Sequence, residues 1–292
     1  MTEFFQYIVN GFVVGGVYAI VAVGFVTIYN VSRVINLAQG EFLMLGSMLT
    51  VSFISMQVPY GVAMLLAILM VTGLGILMQK YVVGVARQAT PLSLIILTIG
   101  VSILIRGIAS QIWGKDSYSL EPLTGNEPLA IGGVSIARQS VWIVLSVLVI
   151  LIFLWYLMEK TMIGKKIKAC SVNPLAARLM GVSPPRMTML AFAISAATGA
   201  LAGIVIAPLS VTSYDAGILL GIKGFSAAIF GGLGSPIGAT VAGLLLGLME
   251  SLGAGLISSG VKDAIAFLVL IAVLLIRPTG LFGERNVGKG GL

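Results

Sequence analysis

Nine apolar runs, each near the length of a membrane-crossing helix, dominate this chain: about 4 to 29, 42 to 58, 61 to 79, 92 to 112, 141 to 158, 189 to 208, 217 to 233, 237 to 257 and 262 to 277. A bilayer core about 30 Å thick takes about 20 apolar residues as a helix, and an open sheet cannot cross it because its edge groups would stay unpaired in hydrocarbon. The runs therefore predict an all-α fold: a polytopic transmembrane helical bundle of about 8 to 10 spans, filling one domain over residues 1–292. Only 9% of residues are charged and mean hydropathy is +1.10, which is not the composition of a soluble domain. The opening "MTEFFQYIVNGF" carries an acid and no Lys or Arg, so it lacks the charged start of a secretory signal and reads as a retained span.

The net charge of +7 is first a topology signal, because basic residues of polytopic proteins collect in cytoplasmic loops. It gives no ground for a nucleic-acid partner. Between 159 and 188 lie Lys160, Lys165, Lys166, Lys168, Arg178 and Arg186 against Glu159, which marks this loop as cytoplasmic. The tail, with Arg277, Arg285 and Lys289, falls on the same side, as do Lys80 and Arg87 by counting spans; the N-terminus then lies outside. The loop at about 113 to 140 holds Asp116, Glu121 and Glu127 against Lys115 and Arg138, and its "EPLTGNEPLAIGG" reads as an irregular external segment.

Several chemistries are excluded. There is no histidine, and Cys170 stands alone, so histidine catalysis, Cys/His zinc sites and an intrachain disulfide are ruled out. "GERNVGKG", 283 to 290, mimics a phosphate-binding loop but puts Gly290 where Ser or Thr is needed and lacks the following helix. Any ATP used by this protein must be bound by another chain.

The runs at 42 to 58 and 217 to 233 are short, and "SRVINLAQGEFLMLGS", 32 to 47, and "GIKGFSAAIFGGLGSPIGA", 221 to 239, mark the interruptions there. Transporters place binding and pore elements at interrupted or re-entrant helices, where free backbone groups line a cavity. Asn36, Gln39 and Glu41 surround Gly40 in the first break; they either cap a helix or offer donors and acceptors to a small polar solute. Lys223, beside Phe225 in the second, either snorkels to the interface or attracts a carboxylate. Glu250 and Arg106 are the deepest charges, each costing roughly 2.5 to 3.5 kcal/mol at a helix centre on insertion scales, so each needs a pairing partner or a polar pathway. Asn36, Gln39, Glu41, Lys223, Phe225 and Glu250 are the candidate pathway residues.

Glycine supplies 37 of 292 residues, much of it at helical spacing. Gly11/Gly15, Gly199/Gly203, Gly217/Gly221, Gly234/Gly238 and Gly243/Gly247 are small-xxx-small pairs that let helix backbones approach in lipid, within the chain or against a second subunit. Gly231, Gly232, Gly234, Gly238, Gly243 and Gly247 form the densest group of packing glycines.

In the basic loop, "SVNPLAARLMGVSPP" spells a short helix over about 174 to 180: Asn173 is a good N-cap, Pro174 suits the first position and Gly181 suits the C-terminal stop. Leu175 and Leu179 share one face, with Ala177 and Arg178 beside them. Two turns do not hold themselves together in water, so this helix is covered either by the protein's own surface and lipid or by a partner.

"INLAQGEFLMLGS", "ACSVNPLAARLMGV", "GIKGFSAAIFGGLGSPIGATVAGLLLGLME" and "RPTGLFG" resemble, in order and spacing, the signature segments of branched-chain amino acid ABC-transporter permeases of the LivH type, over about residues 8 to 283. The resemblance implies a bacterial inner-membrane ABC importer permease for leucine, isoleucine and valine. Related permeases carry urea, short amides or other small organic solutes, and an ion-coupled carrier is the reading from a different class. It also implies four kinds of partner: a second homologous permease, two cytoplasmic ATPase subunits holding ATP and Mg, a periplasmic substrate-binding protein and membrane lipid. The chain itself would be no enzyme and would hold no cofactor. Asn173, Pro174, Leu175, Ala177, Arg178, Leu179 and Gly181 would then form the coupling helix. An acidic residue commonly precedes the Asn-Pro pair in that family segment; Ser171 and Val172 stand there in this chain.

Overall fold

The structure, a computed structural model, describes residues 2–86, 89–122, 129–131 and 134–283. Its helices are α1 (Thr2–Ser32), α2 (Gln39–Ser55), α3 (Tyr60–Met78), α4 (Pro91–Trp113), α5 (Arg138–Lys160), α6 (Met162–Val172), α7 (Pro174–Leu179), α8 (Pro184–Ile206), α9 (Ala216–Gly231), α10 (Pro236–Leu256) and α11 (Lys262–Ile276). Among the described residues, α1, α3, α4, α5, α8 and α10, and α11 taken together with the turn over Ser259–Val261 before it, are long and apolar enough to cross a membrane. α2 and α9 are the short pair, matching the two interrupted runs. The nine apolar runs thus each become a helix, with ends shifted by a few residues.

Four helix starts share one piece of chemistry. Thr90, Asn173, Ser183 and Ser235 each precede a proline in the first turn, and three of them accept a hydrogen bond from the freed backbone N–H groups: Thr90 from Ser93, Asn173 from Leu175 and Ala176, Ser235 from Gly238. Proline fixes φ and removes a donor that would have had no partner there.

α1 is the central element, packed on α10, α8, α9, α5 and α6. Its closest neighbour is α10. A Cβ on Gly11 would stand 2.9 Å from Leu248 Cα, one on Gly15 2.9 Å from Leu244 Cα, and one on Gly243 2.5 Å from Ala19 Cα. The glycine pairs of α1 and α10 therefore pack on each other within the chain, backbone to backbone, where dispersion replaces the absent hydrophobic drive. Gly199 and Gly203 of α8 receive α2 in the same way, at Phe42 and Leu43. Gly231 and Gly238 pack together across the α9–α10 turn, but Gly234 has open space around it, so it is not a packing glycine. It lies in the turn between the helices, which breaks the helical spacing its pairing with Gly238 assumed.

One end of the bundle gathers the α1 C-terminus, α6, α7, the α9–α10 turn and the C-terminal segment. Arg33 Nη2 donates to the Ser171 carbonyl at 3.1 Å, Asn30 Nδ2 to Gly234 at 3.3 Å, and Leu281 and Phe282 N–H to Phe230 and Gly231. This is the basic end. At the opposite end Tyr118 and Thr212 exchange backbone hydrogen bonds at 2.8 Å, tying the segment after α4 to the segment after α8.

Two features depart from the sequence reading. The external loop carries a two-stranded hairpin, β1 (Leu129–Ile131) and β2 (Val134–Ile136), where an irregular segment was expected; Arg87, Glu127, Arg285 and Lys289 lie outside the described residues, as does nearly all of the phosphate-loop mimic. The basic loop holds a further helix, α6, which buries Gly164, Ile167 and Cys170 at three-residue spacing beneath α7.

Candidate functional site

The first interruption has a clear local cause. After α1 ends, Arg33 takes a positive φ of 56° and residues 33–38 run without helix into the bundle. Asn36 stands before α2 rather than on it, and its Oδ1 accepts from the Ala38 N–H at 3.2 Å. Gln39 opens α2 and clasps Ser195 of α8: Nε2 donates to the Ser195 carbonyl at 3.1 Å, and Ser195 Oγ donates to Oε1 at 2.7 Å. The same hydroxyl lies 2.9 Å from the Gly24 carbonyl of α1. Asn36 and Gln39 therefore share no helix face.

Glu41, in the first turn of α2, is buried and faces α4. Ser102 Oγ donates to its Oε1 at 2.8 Å and Arg106 Nε lies 3.3 Å from the same oxygen. Thr98, one turn earlier, accepts from the Leu37 N–H at 3.2 Å. Thr98, Ser102 and Arg106 thus form a polar stripe at i, i+4 and i+8 on an otherwise apolar helix, a signal legible in the sequence but not used there. Glu41 Oε2 and Asn36 Nδ2 are buried without a hydrogen-bond partner. Such orphaned atoms are costly in low dielectric and are a mark of places where a polar ligand fits.

The start of α2 also meets the start of α9. A Cβ on Gly217 would come within 2.5 Å of the Gly40 carbonyl oxygen and 3.1 Å of Glu41 Oε2; one on Gly221 would meet Gly40 Cα at 3.0 Å. Two short helices therefore abut at their N-terminal turns through bare backbone, beside one buried carboxylate.

A second charged cluster joins α1, α9, α10 and α11. Lys223 does not snorkel; it is 2% exposed and held inside the bundle. Its Nζ lies 3.0 Å and 3.1 Å from the two oxygens of Glu250 and 2.7 Å from Asp263 Oδ1. Tyr18 Oη donates to Glu250 Oε2 at 2.8 Å, and its ring lies 5.6 Å beneath the ammonium. The acids lie 27 and 40 positions beyond Lys223, so no local pattern in the sequence announces them, and Tyr18 and Asp263 were missed. Phe225 turns to α1, where its ring stacks at 5.5 Å and 48° on Phe25. The structure thus places Asn36, Gln39 and Glu41 around the start of α2, with Gln39 turned to α8 and Glu41 to α4, and pairs Lys223 with Glu250 elsewhere.

α7 stands at the basic end as a capped knob. Asn173 Oδ1 accepts from Leu175 N–H and Ala176 N–H, both at 3.0 Å. The helix ends one residue before the predicted position: Gly181, at φ 79°, donates to the Arg178 carbonyl and Val182 to the Ala177 carbonyl, both at 3.0 Å. That pairing is the Schellman stop, for which glycine removes the steric cost of positive φ. Ala177 is buried against α6 and α8. Leu175, Leu179 and Met180 face away from the protein at 72%, 89% and 84% exposure. An apolar tip of this kind, on the basic side of the bundle, is an unsatisfied surface.

Comparison with known proteins agrees on one family. Residues 7–274 match the family described as the branched-chain amino acid transport system permease component. Over 98% of the chain, LivH of Salmonella typhimurium, a high-affinity branched-chain amino acid transport system permease protein, is 30% identical, with 97% of that protein covered. BraD of Pseudomonas aeruginosa, of the same description, is 31% identical, with 98% of each chain covered. The ribose import permease protein RbsC of Haemophilus influenzae is 26% identical over 92% of this chain and 82% of its own.

Proposed function

Since the chain belongs to the branched-chain amino acid transport permease family, we propose that it is a subunit of an ATP-binding-cassette importer in a bacterial inner membrane, forming the pathway for leucine, isoleucine and valine. ATP and Mg are held by two separate cytoplasmic ATPase subunits. A second homologous permease and a periplasmic binding protein complete the assembly. The α7 tip carries this reading: a rigid, doubly capped helix presents Leu175, Leu179 and Met180 to whatever lies beyond the membrane's inner face.

In this mechanism α7 seats in a groove of an ATPase, with Asn173, Pro174 and Gly181 fixing its shape and Arg178 beside the contact. Closure of the two ATPases moves α6 and α7 as one body, because Ala177, Ile167, Cys170 and Met187 pack them together against α8. α8 passes the displacement to α2 through the Gln39–Ser195 clasp. The α2 and α9 starts are the part that opens, and Asn36, Gln39 and Glu41 line the solute's route there. Lys223 and Glu250 hold the adjoining wall, with Phe225 packed behind it. A neutral or zwitterionic solute suits a route with so few charges. Relatives such as the ribose permease make the solute a property to be measured, and urea, short amides or another small organic solute are the alternatives.

Replacing Leu179 with Asp puts a charge on the most exposed face of α7. The ATPase subunits should no longer copurify, while the permease keeps its yield and thermal stability. Full copurification would refute docking at α7. An ion-coupled carrier is separated by reconstitution of this chain alone: uptake driven by a proton or sodium gradient, without ATPase subunits, would favour the carrier.

A further inference from the structure

A groove of about 900 Å³ opens at the basic end of the bundle, between α5 and α10, with α1 as its floor. Its depth is set by α1. The lining runs from Val23 to Arg33, ten residues or roughly 15 Å of helix rise. That is half of a hydrocarbon core about 30 Å thick, the depth of one leaflet. The lining changes character along this line: Val23 and Leu154 floor the deep end, while Arg33, Lys168 and Ser171 surround the mouth. The flanks are open sideways, for Trp155 on α5 is 50% exposed and Ile237 on α10 is 62% exposed. α5 and α10 both flank α1 and make little contact with each other, which leaves a gap between them.

The two cations at the mouth are not equivalent. Lys168 is ion-paired with Glu159. Arg33 has no carboxylate within ion-pair distance among the described residues. Its guanidinium is held in place by the Ser171 carbonyl at 3.1 Å and lies 5.6 Å from the Tyr29 ring centre. The backbone at Arg33 adopts a positive φ of 56°, uncommon for a residue with a side chain. A guanidinium with no carboxylate partner among the described residues therefore sits at the mouth of a slot about one leaflet deep, whose walls mix apolar Val23, Leu151 and Leu154 with Thr27, Asn30 and Thr240.

We infer that this groove is a binding site for one anionic phospholipid of the cytoplasmic leaflet. Its phosphate pairs with Arg33 and one acyl chain lies along Val23 and Leu154 towards Trp155. Charge complementarity selects this occupant: the inner leaflet is the anionic one, and Arg is the side chain best shaped to fork onto phosphate oxygens. A helix of a second permease would leave the guanidinium unpaired in a dry interface. A soluble anion would leave the apolar floor uncovered. The site lies beside α6, so the lipid would brace the lever that carries α7.

The test is native mass spectrometry of the full transporter complex, delipidated and then titrated with phosphatidylglycerol. Wild type should retain one phosphatidylglycerol per permease and discriminate at least tenfold against phosphatidylethanolamine. Arg33→Asn, which tolerates the positive φ, should weaken retention about tenfold. Ile237→Trp keeps every charge but fills the slot, and should weaken retention as well. Lys165→Gln removes a cation from the same end but outside the groove and should change nothing. Unchanged retention in Arg33→Asn or Ile237→Trp overturns the inference, as does an equal loss in Lys165→Gln, which would mean general surface charge. Competition by millimolar inorganic phosphate would reassign the site to a soluble anion. Crosslinking of Cys residues placed at Trp155 and Ile237 to a second permease would reassign it to a subunit contact.

Discussion

The Lys223 cluster makes a sharp energetic prediction because its two arms differ in burial. Glu250 is fully buried and Lys223 2% exposed, whereas the Asp263 carboxylate is 53% exposed. Lys223→Met leaves Glu250 with the Tyr18 hydroxyl alone, and removing one partner of a buried pair costs about 3 to 5 kcal/mol. Asp263→Asn removes a solvent-screened arm and should cost about 1 kcal/mol or less. Glu250→Gln strands the ammonium, but Asp263 still holds it, so its cost should fall between these two. The double variant Lys223→Met/Glu250→Gln carries no buried charge and keeps an acceptor for Tyr18. It should recover much of the loss, with a coupling of about 2 to 3 kcal/mol, at the upper end of what contacting residues show. Thermal unfolding in detergent can be followed by a thiol-reactive dye, because the lone cysteine, Cys170, is buried in the folded protein. Additive single losses, or a Lys223→Met cost no larger than that of Asp263→Asn, would show that the cluster is not a buried ion pair in the working protein.

Two more outcomes follow from packing. Gly247→Leu drives a side chain into Gly15 and the Gly11 carbonyl of α1, and the lost α1–α10 contact should sharply reduce the yield of folded protein, an overpacking cost of about 1 to 3 kcal/mol or more; Gly234→Ala meets open space and should match wild type in yield and unfolding temperature. Burial pushes the Cys170 thiol up, so thiolate is scarce at pH 7; maleimide labelling of the folded protein should be slow there and should quicken as pH rises, and labelling at the rate of a free thiol would mean that α6 is not packed beneath α7.

The spans were legible because run length alone decides whether a segment can cross a bilayer, and α7 was legible because Asn173, Pro174 and Gly181 each have a local backbone role. Arg106 and Glu250 were correctly read as charges needing partners, but the partners were not nameable: Glu41 lies 65 positions from Arg106. Of the two readings of Lys223, attraction to a carboxylate is the one the structure shows, but the carboxylates were not nameable for the same reason. A long flexible ammonium looks ready to reach the interface until the fold brings Glu250 and Asp263 to it. α6 was hidden by its lysines, which dilute the apolar spacing of Gly164, Ile167 and Cys170. The hairpin of the external loop escaped because three-residue strands fall below any pattern that alternation can mark.

The central place of α1 bears on how the protein is made. α1 leaves the ribosome before the other described helices and rests chiefly on α10, which begins 204 residues after Ser32. At roughly 5 to 20 residues per second, that wait lasts about 10 to 40 s. For this time the glycine face of α1 waits unmated in the bilayer or against the insertion machinery, and a chain cut short before residue 236 would leave its keystone without an arch.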